Sequence, residues 1–467
     1  MIHKYKLGGM NIVLDVNSGG VHVVDELTYD LLDNVEPPFE DECPGAVVEK
    51  LERNYKKEDI LSCYEEIKDL YRDKILFSPD EYEKFAKFAT PSPIKAMCLL
   101  VAMDCNMRCT YCFAGQGDYC QGRKLMSFET GKKALDFLLI NSGNRENLEV
   151  DFFGGEPLMN WNVVKQLVEY GRSKEEQFHK KFRFTVTTNG TLLTEDKMDF
   201  INREMSNVVL SIDGRKDVND RMRLCANGKG SYDVIMDRYK QIVDKRGHKD
   251  YYVRGTYTRY NLDFAQDVMH LVDNGFNEVS VEPVVTDPSH DYALTERDIP
   301  KIFSEYENLA EMILQRNREG KHFNFFHFML DLNQGPCAIK RLRGCGCGND
   351  YVAVTPDAEI YPCHQFVGMK EYLMGNVDTG EFDQRMKKQF AGAHIYSKTD
   401  CKTCWARFYC SGGCNANNYE YMGDILTAHK ISCEIEKKRL ECAIMIQAAE
   451  AMEGRNEDYG PRPQMIR

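Results

Sequence analysis

Apolar runs and amphipathic stretches alternate along the middle of the chain, between residues 94 and 320. Short segments rich in apolar residues, which in some of them alternate with polar ones, predict strands at residues 96–102, 148–153, 182–187, 208–212, 252–258 and 278–281. Apolar residues that recur every three or four positions predict helices between them, including residues 127–139, 161–171, 231–245 and 262–274. Six strand–helix units predict an α/β fold whose parallel sheet curves into a partial (β/α)₆ barrel.

The first region, residues 1–88, has a different pattern. Strands predicted at residues 12–16 and 21–24 are joined by the turn Asn17-Ser18-Gly19-Gly20, which is typical of a hairpin. Helices are predicted at residues 28–34, 46–53 and 57–73, and a short return strand at residues 73–77. This pattern predicts a winged-helix-like module, whose strand edge and helix groove suit a bound peptide. A structural cap on the rest of the chain is the alternative.

A polar, proline-containing segment from Ala89 to Pro93 marks the end of that module. The third region, residues 324–453, has ten of the cysteines and little regular periodicity before a closing helix predicted at residues 431–452. Such a pattern is typical of a segment whose fold is organised by metal. The polar tail, residues 454–467, is expected to be disordered.

Composition narrows the classes of function. The net charge of −13 and the lack of a basic run disfavour nucleic acid as a partner. We expect a cytoplasmic protein, because no apolar stretch is long enough to span a membrane and the N-terminus lacks the apolar core of a signal peptide. In a reducing compartment, 18 cysteines indicate metal or redox chemistry rather than disulfides.

The most specific motif is Cys105-x₃-Cys109-x₂-Cys112, with Tyr111 directly before its last cysteine. Three thiolates hold three irons of a four-iron, four-sulfur cluster, so the fourth iron is open to an outside ligand. This predicts a cluster that acts on a bound cofactor. A zinc site or three unrelated thiols are the alternatives.

Small and polar residues follow the other predicted strands. Because the carboxyl ends of parallel strands meet at one edge of a sheet, we expect these residues to form one site with the cysteine motif. Arg223 could pair with a carboxylate through two parallel hydrogen bonds. The candidates at the strand ends are Gly154, Gly155, Glu156, Pro157, Thr188, Asn189, Ser211 and Asp213.

The C-terminal cysteines provide enough thiolates for two further four-iron clusters, each of which needs four when the protein holds it fully. Zinc held by four cysteines uses similar spacing and is the competing interpretation. The candidate ligands are Cys345, Cys347, Cys363, Cys401, Cys404, Cys410, Cys414 and Cys433.

These motifs resemble those of radical S-adenosylmethionine (SAM) enzymes, in which the open iron chelates SAM and a "GGEP" motif binds its amino group. The resemblance assigns Arg223 to the SAM carboxylate and the strand-end residues, with Tyr111, to the SAM site. The C-terminal cysteines are similar to those of the SPASM extension, which carries two auxiliary clusters. In that family Cys401, Cys404, Cys410 and Cys433 would hold the distal cluster. Cys363 and Cys414 would hold the proximal one with Cys345, and Cys347 or Cys337 could complete it or leave one iron open.

The N-terminal module resembles the domains that hold leader peptides in maturases of ribosomally made peptides. Over nearly its whole length the chain is most similar to maturases of the "six cysteines in forty-five residues" (SCIFF) peptides. That resemblance implies a thioether-forming enzyme of an anaerobic bacterium, with SAM, three four-iron clusters, a precursor peptide, and ferredoxin or flavodoxin as electron donor. An anaerobic sulfatase-maturing enzyme, which makes formylglycine, is the first alternative. A non-catalytic iron–sulfur or zinc protein is the second.

Overall fold

A computed structural model describes residues 1–87, 90–332 and 338–454. Residues 88 and 89 at the predicted boundary, Cys337, and the tail beyond Gly454 lie outside the described residues. The described chain is an α/β structure with a small antiparallel sheet at its N-terminus and a large, mostly parallel sheet at its centre.

The N-terminal sheet has three antiparallel strands, β1 (Ile2–Leu7), β2 (Met10–Asp15) and β3 (Val21–Val24). The predicted hairpin is confirmed as β2 and β3, and β1 is an additional strand that the sequence analysis missed. Three helices pack on this sheet around an apolar core of their own. They are α1 (Glu26–Leu31), α2 (Gly45–Leu51) and α3 (Lys57–Arg72).

The predicted return strand at residues 73–77 is wrong. This segment forms turns, and Lys74 and Phe77 have positive φ angles of 59° and 52°. A left-handed backbone at two of five positions is incompatible with an extended strand. The apolar residues that suggested a strand lie in a loop, from which Leu76, 2% exposed, packs into the apolar core of the N-terminal module.

The large sheet contains all six strands predicted for the middle region, and each pairs in parallel with the next one predicted along the chain. The prediction of a parallel α/β sheet is thus confirmed. The strands are β4 (Ala96–Met103), β5 (Lys124–Leu125), β6 (Asn147–Gly154), β7 (Lys181–Thr188), β8 (Asn207–Ser211), β9 (Asp250–Tyr257), β10 (Glu278–Pro283), β11 (Asn324–Phe325), β12 (Tyr351–Val354), β13 (Glu359–Tyr361), β14 (Gly375–Asn376) and β15 (Glu381–Phe382). Their spatial order is β11-β10-β9-β8-β7-β6-β4-β12-β13-β14-β15, with β5 beside β4.

Helices between the strands bury their apolar faces against this sheet in one continuous core. Ser127 begins one of them at the predicted position, because its hydroxyl accepts a hydrogen bond from the Thr130 amide at 3.0 Å. The helices up to the end of the parallel part are α4 (Glu83–Ala86), α5 (Phe128–Asn141), α6 (Trp161–Phe178), α7 (Glu195–Glu204), α8 (Lys216–Met222), α9 (Tyr232–Arg246), α10 (Phe264–Asp273) and α11 (Ile299–Arg318).

The cysteine-rich region is more regular than its sequence pattern indicates. Its strand β12 extends the central sheet by pairing in parallel with β4, and β13 to β15 continue the sheet in antiparallel fashion. The closing helix is confirmed, and it packs on α11 and on the N-terminal sheet. The helices of this region are α12 (Ala338–Arg343), α13 (Gln384–Ala391), α14 (Thr399–Lys402), α15 (Arg407–Cys410), α16 (Asn415–Met422) and α17 (Lys430–Met452).

Candidate functional site

The loop after β4 brings Cys105, Cys109 and Cys112 together. Burial raises the pKa of Cys105 to about 12 and that of Cys109 to about 11, and the neighbouring thiols of the motif add to both shifts. The Met107 amide points at the Cys105 sulfur at 3.4 Å, and the Asn189 side-chain amide lies 3.6 Å from it. These donors would stabilise a thiolate at Cys105.

Three glycines pack the backbone tightly around this loop. A Cβ on Gly154 would lie 2.2 Å from the Ala102 carbonyl oxygen, and one on Gly155 would lie 2.3 Å from that of Asp104. Gly117, which the sequence analysis did not select, has a φ of +102°, and a Cβ there would lie 2.5 Å from Cys105 Cβ. Only glycine allows such an approach, so these positions fix the loop that carries the three thiols.

Glu156 is fully buried and holds the neighbouring strand end. Its carboxylate accepts hydrogen bonds from the amides of Leu158 at 3.0 Å and Asn189 at 2.7 Å, and from the Thr188 hydroxyl at 2.8 Å. Burial raises its pKa, and these three donors oppose the shift. The carboxylate therefore positions the turn after β7 through contacts within the chain.

Tyr111, Asp213 and Arg223 form a buried chain of hydrogen bonds. The Tyr111 hydroxyl donates to the Asp213 carboxylate at 2.8 Å, and Nη1 of Arg223 donates to that hydroxyl at 3.0 Å. Burial raises the pKa of Asp213 to about 6 although Arg223 opposes the shift. Nε of Arg223 is buried and has no hydrogen-bond partner among the described residues.

Two predicted residues contribute through the backbone. The Ser211 carbonyl accepts a hydrogen bond from the buried Tyr239 hydroxyl at 3.1 Å, and Pro157 opens the short helical turn that leads into α6. Tyr239 also lies against Gly190, where a Cβ would be 2.2 Å from its ring. Tyr239 lies on α9 without any motif around it, so no sequence signal could have identified it.

The first C-terminal set of thiols is Cys401, Cys404, Cys410 and Cys433. Burial raises the pKa of Cys401, Cys410 and Cys433, and each of these thiols is raised further by others of the set. Cys401, Cys404 and Cys410 lie close together along the chain, whereas Cys433 lies on α17, which must return to the loop of α14 and α15 to bring it there. The structure thus brings all four predicted distal ligands together.

The second set is Cys345, Cys347, Cys363 and Cys414. Burial raises the pKa of Cys414 to about 12, with Cys363 and Cys345 adding to the shift, and a hydrogen bond from Cys347 lowers the pKa of Cys363. Four neighbouring thiols are the number of protein ligands that a four-iron, four-sulfur cluster needs when every iron is bound by the protein. Within the described residues, no three His, Cys, Asp or Glu side chains surround a position for a single metal ion.

Charged side chains on β6, β9 and β10 form a cluster that is not among the candidate site residues of the sequence analysis. Arg254 and Glu282 pair at 2.8 Å. Burial would raise the pKa of Glu282, but Arg254 lowers it to about 2. Burial raises the pKa of Asp151 to about 7. Because single charged residues in strands are common, only the fold reveals that these three are neighbours.

Comparison with known families finds a match in the central part of the chain. The family model of the Radical SAM superfamily matches residues 100–282, which run from within β4 to within β10 and include the first cysteine motif. Within residues 1–87, 90–332 and 338–454, none of the helices combines the length and apolar character that crossing a bilayer requires.

Two curated relatives show how far the similarity extends. The cysteine-type anaerobic sulfatase-maturating enzyme of Clostridium novyi is 26% identical over 348 residues, which cover 69% of this chain and 89% of that protein. The radical SAM cyclopropyl synthase TigE of Paramaledivibacter caminithermalis is 21% identical over 388 residues, or 76% of this chain and 75% of that protein. The chain is thus related in sequence to anaerobic sulfatase maturases.

Solved structures share the fold. Native anSMEcpe with bound AdoMet superposes with a TM-score of 0.65 and 20% identity, covering 77% of this chain and all of that one (100%). Streptococcus suis SuiB bound to precursor peptide SuiA superposes with a TM-score of 0.53 and 17% identity, covering 92% of this chain and 98% of that one.

Proposed function

From the radical SAM domain at residues 100–282, we propose that this protein is a maturase that forms a sulfur-to-carbon thioether in a ribosomally made, cysteine-rich precursor peptide. Closing one such cross-link forms one S–C bond and breaks one S–H and one C–H bond of the peptide. SAM would be the net oxidant: the carbon-bound hydrogen would end on 5′-deoxyadenosine, and the thiol hydrogen would leave as a proton. The proposed partners are the precursor peptide and a one-electron donor such as ferredoxin or flavodoxin, in the cytoplasm.

The observation that carries this proposal is a groove beside an open strand edge in the N-terminal module. Among the described residues β3 pairs with β2 alone, so its other edge has unpaired backbone groups. A groove of about 430 Å³ follows that edge, lined by Val24, Ile67 and Leu70, with Asp25 and Glu66 beside them. An extended leader peptide would add to β3 as a strand and place apolar side chains in the groove and basic ones near the carboxylates.

The extent of the structural likeness supports a role for this module. The anSMEcpe structure covers 77% of this chain, whereas the complex of SuiB with a precursor peptide covers 92% of it. The longer match favours an enzyme that works on a precursor peptide. It supports the proposal at the level of fold, since the identity is 17%.

The residues around Cys105 fit a four-iron cluster with an open iron and a SAM molecule beside it. Three thiols supply the ligands of the cluster. The glycines of the loop have no side chains, so a bound SAM could approach the backbone closely. The buried, unpartnered Nε of Arg223 is a donor suited to a carboxylate. When bound, the cluster supplies one-electron reductive cleavage of SAM to a hydrogen-abstracting radical. Tyr111 and Asp213 would hold Arg223 in place for the SAM carboxylate.

The two C-terminal thiol sets fit two further four-iron clusters. Cys401, Cys404, Cys410 and Cys433 would hold the distal cluster. In the proximal set the four neighbouring thiols are Cys345, Cys347, Cys363 and Cys414. Both sets have the four donors that full ligation requires, so we propose three clusters in total.

The decisive experiment is anaerobic turnover of the reconstituted protein with SAM, a reductant and a cysteine-rich precursor peptide, read by mass spectrometry. We expect the peptide to lose two hydrogens per cross-link while 5′-deoxyadenosine forms in equal amount. Fragmentation would then locate the thioether. Deoxyadenosine without a change in the peptide would contradict this substrate class, and no SAM cleavage by fully clustered protein would contradict the enzyme itself.

Leader binding is tested separately at the groove. Leu70 lines the groove and is half-buried, whereas Leu61 lies on the same helix, α3, and is 38% exposed. Leu70→Glu should weaken binding of a fluorescent leader peptide at least tenfold, because it puts a charge into the apolar groove. Leu61→Glu should bind as the wild type does. Equal affinity of both variants would contradict leader binding at this groove.

A sulfatase-maturating activity is the second candidate. The observation that favours it is the 26% identity to the Clostridium novyi enzyme over 89% of that enzyme's length. In this case the substrate would be a sulfatase peptide whose cysteine or serine becomes formylglycine. A sulfatase-derived peptide in the same turnover assay separates the two candidates, because formylglycine has an aldehyde that hydrazide reagents label and a thioether has none.

A further inference from the structure

A buried lysine lies between the two C-terminal thiol sets. Lys398 is 1% exposed and stands directly before α14. Its Nζ donates to the Gly412 carbonyl at 2.7 Å and to Oδ1 of Asn415 at 2.8 Å. A lysine ammonium has three N–H donors, and the described residues supply two acceptors, so one donor is available to a further acceptor.

Thiols from both sets lie within electrostatic reach of this ammonium. Cys401 and Cys410 belong to the distal set, and Cys414 and Cys345 to the proximal set. Hydrogen bonds place the lysine beside both sets, because the Lys398 carbonyl accepts from the Cys401 amide at 3.1 Å and Asn415, which Nζ contacts, directly follows Cys414. The lysine is thus a positive group that both sets share.

The loop between the two sets is shaped around the lysine. Ser411, Gly412 and Gly413 have φ angles of 58°, 88° and 71°, so three successive residues are left-handed. A Cβ on Gly412 would lie 3.2 Å from Lys398 Cδ and 3.4 Å from its Nζ. Gly412 lies in the loop that joins Cys410 of the distal set to Cys414 of the proximal set. Because this glycine has no side chain, the loop can contact the side chain of Lys398.

The energetics of burial indicate what the lysine does. A buried ammonium is costly unless negative charge and hydrogen-bond acceptors compensate it. The two carbonyl-type acceptors of Lys398 are neutral, whereas a thiolate-held iron–sulfur cluster is an anion that gains one more negative charge when it is reduced. Net charge and hydrogen bonds to the sulfurs set the reduction potential of such a cluster.

We infer that Lys398 is a positioning residue shared by the two auxiliary clusters and that it raises the reduction potential of both. The inference rests on the proposed function for the presence of both clusters. The ammonium stabilises the more negative, reduced form of each cluster, so each accepts an electron more readily. It also makes the two potentials move together, because one charge acts on both.

The test is a potentiometric titration with dithionite, followed by electron paramagnetic resonance, on the full chain with Cys105, Cys109 and Cys112 changed to alanine. This background leaves the auxiliary clusters as the source of the signal. Lys398→Met removes the charge, and Lys398→Arg keeps it. Lys180→Met is the matched control, because Lys180 is also buried (9% exposed) and donates to two carbonyls, at 2.6 and 2.7 Å, in the central domain.

In Lys398→Met the ratio of reduced to oxidised cluster at a fixed solution potential should fall at least tenfold for both clusters. For a one-electron couple, tenfold corresponds to about 59 mV. Lys398→Arg and Lys180→Met should keep the parent ratio. An unchanged ratio in Lys398→Met with full iron content, or a shift confined to one cluster, would overturn the inference.

Iron content covers the case in which Lys398→Met does not assemble its clusters. Lys398→Gln, which keeps a donor without the charge, is then prepared beside Lys398→Arg. If Lys398→Met and Lys398→Gln both lose the auxiliary iron and Lys398→Arg keeps it, the result supports the need for a positive charge at this position. If Lys398→Arg loses the iron as well, the result overturns the inference. A parent protein with no auxiliary iron at all would instead refute the two clusters themselves, which distinguishes that failure from a failure of Lys398.

Discussion

Gly155 lies where the backbone after β6 passes closest to the first cysteine loop. A Cβ there would lie 2.3 Å from the Asp104 carbonyl oxygen and 2.9 Å from Gly117 Cα, and both neighbours are backbone. Gly155→Ala should therefore displace the Cys105 loop at a cost of about 1–3 kcal/mol, typical of overpacking. We expect reconstituted protein to lose the iron of one cluster and to keep that of the other two.

Gly45→Ala is the matched control, since no heavy atom lies within 4 Å of a Cβ at Gly45 and the residue begins helix α2. Its iron content should equal that of the wild type. Wild-type iron content in Gly155→Ala, measured by colorimetric assay on equal protein, would show that the loop tolerates the methyl group and would contradict the role given to this contact.

The raised pKa of Asp151 predicts how stability depends on pH. Its pKa is about 7 in the folded protein, against an ordinary value of 3.8. A folded-state pKa above the unfolded one stabilises the fold fully below pH 3.8, and this stabilisation is lost as pH rises through about 7. The free energy of unfolding of the wild-type apoprotein minus that of Asp151→Asn should thus decrease as the pH rises from 4 to 7. A difference between the two proteins that does not change with pH, measured by urea unfolding, would contradict the shift.

At the scale of elements, the sequence predicted well wherever an element buries one regular face. All six middle strands bury apolar residues on one or both faces, and each is present within three residues of its predicted bounds. Helix α6 extends to Phe178, seven residues beyond the prediction, because its last two turns are mostly polar and lack the apolar recurrence that defined its start.

The failures have equally local causes. Residues 73–77 are apolar enough for a strand, yet two left-handed residues turn them into a loop. Strand β12 was missed because it has four residues among cysteines and glycines, and its pairing with β4 depends on contacts far along the chain. Periodicity reports which face is buried, and it says nothing about which distant segment will cover it.

The same limit applies to the candidate site. The sequence could select Tyr111, Asp213 and Arg223 as polar residues near strand ends, but their mutual hydrogen bonds follow from the fold. It could not find Lys398, because a single lysine without a motif is normally a surface residue. The spacing of cysteines along the sequence therefore predicts which residues bind a cluster. The residues that change the properties of the cluster are found only from burial and contacts in the structure.

At the scale of the whole molecule, Arg407 ties the N-terminal module to the distal thiol set. It is 4% exposed, lies between Cys404 and Cys410, and donates to Asn17 in the β2–β3 turn at 2.7 Å and to Asp80 at 3.0 Å. Stacking of His3 on Trp405, with ring centroids 3.8 Å apart, adds a second contact nearby. The module that would hold the leader is thus docked on the loop that would hold a cluster.

Arg407→Met should loosen this docking without altering the leader groove, because none of the described residues that line the groove belongs to the β2–β3 turn. Losing hydrogen bonds to a buried arginine costs about 1–3 kcal/mol. We expect faster amide hydrogen exchange at Asn17 and Gly19 and a lower rate of peptide modification, while the leader Kd stays at the wild-type value. Arg53→Met, on the exposed surface of the same module, should change none of the three. An Arg407→Met protein with weakened leader binding would show instead that the arginine supports the module's own fold, because docking and groove would then fail together.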